Sequence, residues 1–236
     1  MLLYIIRHGD PIYNPDTLTE KGKEQAAALA KRLAVNGLDK IYCSPNGRAK
    51  ETAQPTCDLL GLECNIEDWT SENHAWNDFS AQIDEKHYGW TFHVQNTEFR
   101  KPKNINKSYD DWHEAEQFAK IDAKKGYDRI ANASDEFIER LGYKRDGGLY
   151  KVVTPSDERI AVFCHQGFGT TWMAHLLAVP PHIFWASFDI THSGVTIIQF
   201  KNNGNGLTAP QCLCMSDISH IYKEGLPMEY QNYLKI

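Results

Sequence analysis

The sequence predicts an α/β fold: a three-layer α/β/α sandwich with a mainly parallel central sheet and an inserted cap. Apolar runs of strand length alternate with segments of helical periodicity over most of the 236 residues. Polar side chains follow two of these runs directly, at Arg7-His8-Gly9 and at His165-Gln166-Gly167. Ligands of parallel sheets bind beyond the carboxyl ends of the strands, so these two stretches are predicted to meet at one site.

Composition and charge limit the classes of function. The chain is 42% hydrophobic and 24% charged, which is sufficient for a substantial core. Its formal net charge of −6 argues against a nucleic-acid partner, because phosphate neutralisation needs clustered Lys and Arg. No apolar stretch reaches the roughly 18 residues of a membrane span, and the first one is too short for a signal peptide. Six cysteines in such a chain predict free thiols, a cytoplasmic location and no metal site.

The first strands and helices are predicted from periodicity and end signals. "LLYII", "DKIYCS" and "LECNI" are the strands. Between the first two, "LTEKGKEQAAALAKRLAVNG" predicts a helix with Thr19 as N-cap and Gly37 at its end. In the next helix Ser44 is the predicted cap, Pro45 takes the first helical position and Gly61 ends the helix.

The segment of about 73–128 interrupts this alternation. It has weak periodicity and is rich in Trp, His, Tyr, Lys and Asp, and within it "SYDDWHEAEQFAKIDAKKG" predicts a helix. Its aromatic residues are too many for a disordered linker; they include Trp76, Phe79, Tyr88, Trp90, Phe92 and Trp112. We interpret 1–236 as a single domain in which this segment is an insertion that packs on the body or covers a site.

Alternation returns after the insertion. "YDRIANASDEFIERLGY" predicts a helix, "GLYKVV" a short strand and "ERIAVFCHQGFG" a buried strand followed by a turn. The helix "TTWMAHLLA" follows and is predicted to end at Pro180-Pro181. "SGVTIIQF" and "QCLCM" are the last two predicted strands.

The residue types at the two strand ends are those that phosphoryl transfer without a metal requires. Arginine holds phosphate oxygens bidentately, and imidazole attacks phosphorus to form a phosphohistidine. A carboxyl group then protonates the departing alkoxide and afterwards deprotonates the attacking water.

Four stretches in order, "IIRHGD", "LTEKGKEQA", "YCSPNGRAKETA" and "VFCHQG", resemble the phosphatase branch of the histidine phosphatase superfamily, which has the phosphoglycerate mutase-like fold. The resemblance spans the chain apart from the insertion. It implies that His8 is the nucleophile, that Arg7 and Arg48 hold phosphate oxygens, and that His165 donates to the phosphate in the transition state. It also places Asn14 in the pocket.

The sequence departs from the family pattern at Gln166 and in "WNDFS" beyond Glu72, and it offers two glutamates as the acid. Gln166 stands where a glycine usually follows the second histidine, and it is predicted to contact phosphate or substrate. The spacing from Arg48 favours Glu72 as the proton donor, with Glu85 in "DEKHYGW" as the rival. His192 precedes a strand that edges the pocket in this family, so contact with substrate is an open alternative to a structural role.

The predicted function is that of a metal-independent phosphomonoester hydrolase that acts through phospho-His8 on a small phosphorylated metabolite, without a cofactor. A phosphoglycerate mutase is the main alternative, because "EKHYGW" resembles a stretch of those enzymes. A phosphoester-binding protein without turnover is the third. The substrate and the oligomeric state are left open.

Overall fold

The computed structural model describes residues 1–94 and 96–236. The strands are β1 Leu2–Arg7, β2 Pro11–Tyr13, β3 Asp16–Leu18, β4 Lys40–Cys43, β5 Cys64–Ile66, β6 Ser80–Gln82, β7 Tyr88–Trp90, β8 Tyr143–Asp146, β9 Leu149–Val152, β10 Arg159–Cys164, β11 Val195–Gln199, β12 Leu207–Thr208, β13 Gln211–Asp217, β14 Glu229–Tyr230 and β15 Leu234–Lys235. The α-helices are α1 Glu20–Ala34, α2 Gly47–Leu60, α3 Glu72–Phe79, α4 Thr91–Val94, α5 Asn96–Phe99, α6 Pro102–Ile105, α7 Ala123–Arg140, α8 Gln166–Leu176, α9 Pro181–Trp185 and α10 Ser219–Lys223.

The central sheet has the strand order β13-β11-β1-β10-β4-β5 in the described part of the chain. The four strands β1, β10, β4 and β5 are parallel to one another, and β11 and β13 continue the sheet in antiparallel pairing. The predicted mainly parallel sheet is confirmed.

Helices cover both faces of this sheet. Successive side chains of a strand point to opposite faces, and Ile5 and Ile6 of β1 accordingly belong to two separate apolar clusters. The cluster around Ile6 includes Leu29 of α1 and Ala53 of α2. The cluster around Ile5 includes residues of α7 and α8, among them Trp172. The three-layer sandwich predicted from the sequence is therefore confirmed.

The two helices that flank the first strand pair begin differently. Thr19 is the N-cap of α1 as predicted, since its hydroxyl accepts a hydrogen bond from the Gly22 amide at 3.0 Å. The prediction that Ser44 caps α2 with Pro45 in its first position is wrong, because α2 has Asn46 at its N-cap. The Asp16 carboxylate, which comes from β3, accepts from the first amide of α2 at 2.8 Å, and a cap from a distant strand carries no local sequence signal.

The predicted helix in "SYDDWHEAEQFAKIDAKKG" is also wrong for most of its length. The chain forms only short 3₁₀ turns at Trp112–Glu114 and Glu116–Phe118, and α7 begins at Ala123. Trp112 and Phe118 are both buried, and a spacing of six residues places two side chains on different faces of an α-helix. Irregular backbone allows both rings to reach the core.

The segment of about 73–128 packs on the body of the fold. Phe79 and Phe92 are fully buried, and both rings contact Trp185, which Phe92 stacks at a centroid distance of 4.7 Å. Trp112 packs edge-on against the same Trp185 ring at 5.5 Å. These contacts join the segment to the apolar cluster of α7 and α8. That it is an insertion into a single domain stays a prediction.

The later elements differ from prediction mainly in their bounds. α8 begins at Gln166, four residues before the predicted helix, and Pro181 begins α9 rather than ending α8. All six cysteines are free thiols. Among the described residues, no helix is both long and apolar enough to span a membrane.

Gly22 of the "LTEKGKEQA" stretch is required for the close approach of α1 to the loop after β1. A Cβ atom at this position would lie 2.2 Å from the backbone oxygen of Asp10. We predict that Gly22→Ala lowers the free energy of unfolding by about 1–3 kcal/mol, as overpacking typically does, measured by urea denaturation. Gly148→Ala is the control, because its nearest contact is a side-chain atom at 3.7 Å. Equal stabilities of the two variants would contradict the prediction.

Candidate active site

Parallel pairing brings the ends of three neighbouring strands together. Arg7 at the end of β1 pairs with Cys164 at the end of β10, and β10 pairs in turn with β4. His8 and His165 directly follow β1 and β10, and their ring centroids lie 5.1 Å apart. The ring of His192 lies 5.7 Å from that of His8 on another side.

His8 is held in one orientation and one protonation state. Its Nδ1 lies 2.7 Å from the carbonyl oxygen of Gly9, which is an acceptor only, so Nδ1 carries the proton and donates it. The Nε2 atom therefore keeps its lone pair. Burial, together with the neighbouring His165, Arg7 and Arg48, holds the pKa of His8 well below its usual value. The ring is thus neutral at physiological pH.

The guanidinium of Arg7 is fixed by the backbone, by His192 and by the C-terminal segment. Its Nη1 donates to the carbonyl oxygen of Ile190 at 2.7 Å and to Oε1 of Gln231. Its Nη2 donates to Nε2 of His192 at 2.9 Å. Burial and the charge of Arg7 lower the pKa of His192 to about 3, so this imidazole is neutral and accepts the bond.

The second guanidinium lies in the first turn of α2. Nη1 of Arg48 donates to Oδ1 of Asp16 at 2.7 Å, and the other oxygen of this carboxylate accepts from the amide of Gly47. The guanidinium also lies over the ring of Tyr13, 5.3 Å from the ring centroid. Asp16 therefore positions both the helix end and its arginine, and the positive helix terminus and guanidinium are close together.

Several buried nitrogens around His8 have no hydrogen-bond partner among the described residues: Nε of Arg7, Nε of Arg48, Nδ1 of His165 and Nδ1 of His192. These atoms have almost no accessible surface, so they lie within the wall of the site. The two guanidiniums themselves line the cavity together with His8, and arginine pairs with phosphate through its fork of N–H donors. The inner part of the site is therefore suited to an oxyanion.

Glu72 lies at the N-terminus of α3 and bridges two backbone amides of α8. One carboxylate oxygen accepts from the amide of Gly167 and the other from the amide of Phe168, both at 2.9 Å. Burial is the largest influence on this carboxyl group and raises its pKa, against the two amides and the two arginines, which lower it. Asn46 accepts from the backbone amide of Glu72 at 3.3 Å, which ties the start of α3 to the start of α2.

These side chains line one cavity of about 940 Å³, which we call the main cavity. Its lining residues are Arg7, His8, Asp10, Pro11, Tyr13, Asp16, Asn46, Arg48, Glu72, Asn73, Trp76, Trp90, His93, Gln166, Asp189, His192, Gln231 and Tyr233. His165 is fully buried beneath it, in contact with His8. Within residues 1–94 and 96–236, no group of three or more His, Cys, Asp or Glu is arranged to hold a metal ion.

Not all of the predicted site residues lie at this cavity. Glu72 lines the cavity, whereas Glu85 is exposed in the turn between β6 and β7 and is not among the lining residues. Asn14 is exposed in the turn between β2 and β3 and is not among the lining residues, so its role stays a prediction. Gln166 lines the cavity. Its amide nitrogen lies 2.7 Å from Asp189 Oδ1 and also 2.7 Å from His93 Nε2, so it already has partners within the protein. Its contact with phosphate or substrate stays a prediction.

Sequence reasoning did not select three polar residues that line the cavity: Asp16, Asp189 and Gln231, which fix the arginines and Gln166. Trp76 and Trp90 form part of the wall, and the sequence marked them only as aromatic residues of the insertion. Asp189 and Gln231 lie in stretches without a recognisable motif, and only the fold brings them to β1. The aromatic residues of the insertion were a detectable signal, although their positions at the cavity were not predictable.

The family model of the histidine phosphatase superfamily (branch 1) matches residues 3–212. This range contains the two arginines, Glu72 and the histidines described above. The chain belongs to the histidine phosphatase superfamily. The resemblance of the four sequence stretches is thereby confirmed.

Relatives and solved structures agree with this assignment. The adenosylcobalamin/alpha-ribazole phosphatase of Salmonella typhi is 26% identical over 203 residues, 78% of this chain and 84% of the relative. Phosphoserine phosphatase 1 of Hydrogenobacter thermophilus is 24% identical over 222 residues, 90% and 92% of the two chains. A mutant phosphoserine phosphatase from Entamoeba histolytica in complex with phosphoserine has the same fold, with a TM-score of 0.61 at 18% identity, covering 93% and 98%. The chain is a phosphatase of this superfamily.

Gln231 lies beyond the range that the family model matches, yet it accepts from Arg7 and donates to Asp189 at 2.9 Å. We predict that Gln231→Ala raises the inhibition constant of orthovanadate by about tenfold, because a hydrogen bond that positions a buried charge is lost. The exposed Gln54→Ala on α2 serves as the control and leaves the constant unchanged. An unchanged constant in Gln231→Ala would show that Arg7 is held without it.

Proposed function

We propose that this phosphatase hydrolyses the monoester of a small phosphorylated metabolite through a phosphohistidine on His8, without a metal ion. The observation that carries the proposal is the bond from Nδ1 of His8 to the Gly9 carbonyl, 2.7 Å long. It reserves Nε2, with its lone pair, for attack in a cavity that two guanidiniums also line.

In the first step, Nε2 of His8 attacks phosphorus and the bond from phosphorus to the ester oxygen breaks. Arg7 and Arg48 stabilise the charge on the phosphoryl oxygens, and His165 donates a ring N–H to one of these oxygens. Glu72 gives its proton to the leaving oxygen, so that an alcohol departs rather than an alkoxide. Burial raises the pKa of Glu72, which extends the pH range over which the carboxyl group holds that proton.

In the second step, the Glu72 carboxylate takes a proton from water as the water oxygen attacks phosphorus. The bond between phosphorus and Nε2 breaks, which releases inorganic phosphate and restores neutral His8. The acid and base roles of Glu72 alternate, and the group returns to its starting state after each turnover.

The mutase alternative loses the observation that favoured it. The "EKHYGW" stretch suggested Glu85 as the acid, but Glu85 is exposed and outside the main cavity. The third alternative, binding without turnover, is addressed by the activity measurements below.

The nucleophile is tested with His8→Ala. We predict that release of phosphate from an alkyl phosphate in EDTA falls by at least about a thousandfold, because the covalent route is lost. Wild-type enzyme quenched in alkali retains labelled phosphate, since phosphohistidine survives there, and His8→Ala retains none. His74→Ala, which removes an exposed histidine on α3, keeps full activity. Wild-type activity in His8→Ala, or no turnover by the wild type on a broad panel of monoesters, would overturn the proposal.

The acid is tested with Glu72→Gln, with Glu85→Gln as the matched control. We predict that kcat/KM for an alkyl phosphate falls by about 10²–10⁴-fold in Glu72→Gln. The loss is smaller for 4-nitrophenyl phosphate, whose leaving group departs without a proton. In the wild type, activity on alkyl phosphates declines as the pH rises through the raised pKa of Glu72, and the variant lacks this decline. Equal losses in both variants, or on both substrates, would contradict the role of Glu72.

A further inference from the structure

We infer that the leaving group of the substrate carries a planar ring and no anionic group, as in a nucleoside or another ring-bearing alcohol. This inference rests on the proposed function, because Glu72 marks the side of the site from which the leaving group departs. It is drawn from two observations: the aromatic surface beside Glu72 and the distribution of charge in the main cavity.

The aromatic surface begins one turn after the acid. Trp76 follows Glu72 by four residues on α3, which places the two side chains on the same face of the helix. Trp90 packs edge-on against Trp76 at a centroid distance of 4.9 Å. It also lies against Gly167, the residue whose amide binds Glu72, and a Cβ atom there would approach the Trp90 ring to 2.5 Å. An alcohol that has just accepted the proton of Glu72 is therefore next to two indole rings.

Two aromatic rings of the cavity wall are exposed, those of Trp76 and Tyr13. Trp76 is 37% exposed, and Tyr13, which lies over Arg48 at the phosphate end, is 68% exposed. Both line the main cavity, from two different elements. Large exposed aromatic side chains in a concave site supply apolar and stacking surface for a ligand.

The charges of the cavity disfavour a second anion. Among the described lining residues, Arg7 and Arg48 are the cations, and the phosphoryl group occupies both. Three aspartates, Asp10, Asp16 and Asp189, line the same cavity.

Only one of these three carboxylates has an arginine partner. Asp16 is paired with Arg48 at 2.7 Å. Asp189 accepts from the amides of Gln166 and Gln231, and Asp10 accepts from the Thr19 hydroxyl and the Asn232 amide. Asp10 therefore forms no ion pair with a described residue, and the charge of Asp189 acts on the nearby Arg7, which the phosphoryl group also occupies. A carboxylate or second phosphate on the leaving group thus meets like charges and finds no free arginine or lysine among the described residues of the wall.

The test uses phosphate esters of three primary alcohols with similar leaving-group reactivity, so that differences in kcat/KM report recognition. The substrates are ethyl phosphate, 2-phenylethyl phosphate and 2-(4-carboxyphenyl)ethyl phosphate. We expect kcat/KM for the phenyl ester to exceed that for the ethyl ester, and the para-carboxylate to lower it by about tenfold, as one close like charge does. Phosphoserine and 3-phosphoglycerate are expected to rank with the carboxylated ester.

Two cavity variants and one surface control locate the effect. Trp76→Leu is expected to reduce the ratio of kcat/KM between the phenyl and ethyl esters, while Tyr222→Leu, an exposed aromatic residue on α10, leaves the ratio unchanged. Because the readout is a ratio within each variant, partial misfolding does not affect it. Asn73→Lys adds a cation to the cavity wall and is expected to raise the relative rate of the carboxylated ester.

The outcomes separate this inference from the proposed function. If the carboxylated ester or phosphoserine is hydrolysed as well as the phenyl ester through phospho-His8, the inference is wrong and the hydrolase proposal stands. A phenyl-to-ethyl ratio that Trp76→Leu does not change also refutes the inference. If no ester is hydrolysed and no phosphoenzyme forms, the hydrolase proposal itself fails.

Discussion

The parallel pairing of β1 with β10, and of β10 with β4, is the constraint on which the site depends. Residues more than 150 positions apart in the chain are placed side by side because parallel neighbours end at the same edge of a sheet. His8 and His165 occupy equivalent places after two adjacent strands, and Ser44 follows the third. The hydroxyl of Ser44 lies 2.7 Å from Nε2 of His165, so the third strand end holds the second histidine in place.

The electrostatics of the site follow from enclosing two guanidiniums with three imidazoles. Burial and the positive charges act in the same direction on His8, His165 and His192, and the pKa of each is lowered. The histidines therefore stay neutral, and the arginines remain the cations of the site. A neutral imidazole is a nucleophile and an acceptor, whereas an imidazolium is neither. The same environment that binds an oxyanion thus also keeps the attacking atom reactive.

The parts of the fold predicted from sequence are those with a local cause. The Thr19 cap, the apolar faces of α1 and α7 and the buried strand β10 all follow from neighbouring residues, and each is present. The start of α2 was mispredicted because Asp16, on another strand, caps it. The helix predicted around Trp112 does not form, because burial of the Trp112 and Phe118 rings in the core outweighs the local helix propensity.

The residues of the site also divide into those that short sequence stretches predict and those that only the tertiary fold brings in. Arg7, His8, Arg48, Glu72 and His165 lie in short stretches that can be recognised in sequence, and the fold gathers them at or beneath one cavity. Their supporting partners were not predictable, since Asp189 and Gln231 reach Arg7 and Gln166 only through the tertiary fold. The aromatic wall lies between these cases: its residue types stood out in the sequence, but their place beside the acid depends on Gly167.

The two amides that bind Glu72 also determine where its proton can reside. Each carboxylate oxygen already accepts one backbone N–H, from Gly167 or from Phe168. An added proton must therefore occupy a lone pair that neither amide uses, which leaves one position on each oxygen. The start of α8 thus restricts the O–H bond to two directions before any substrate arrives.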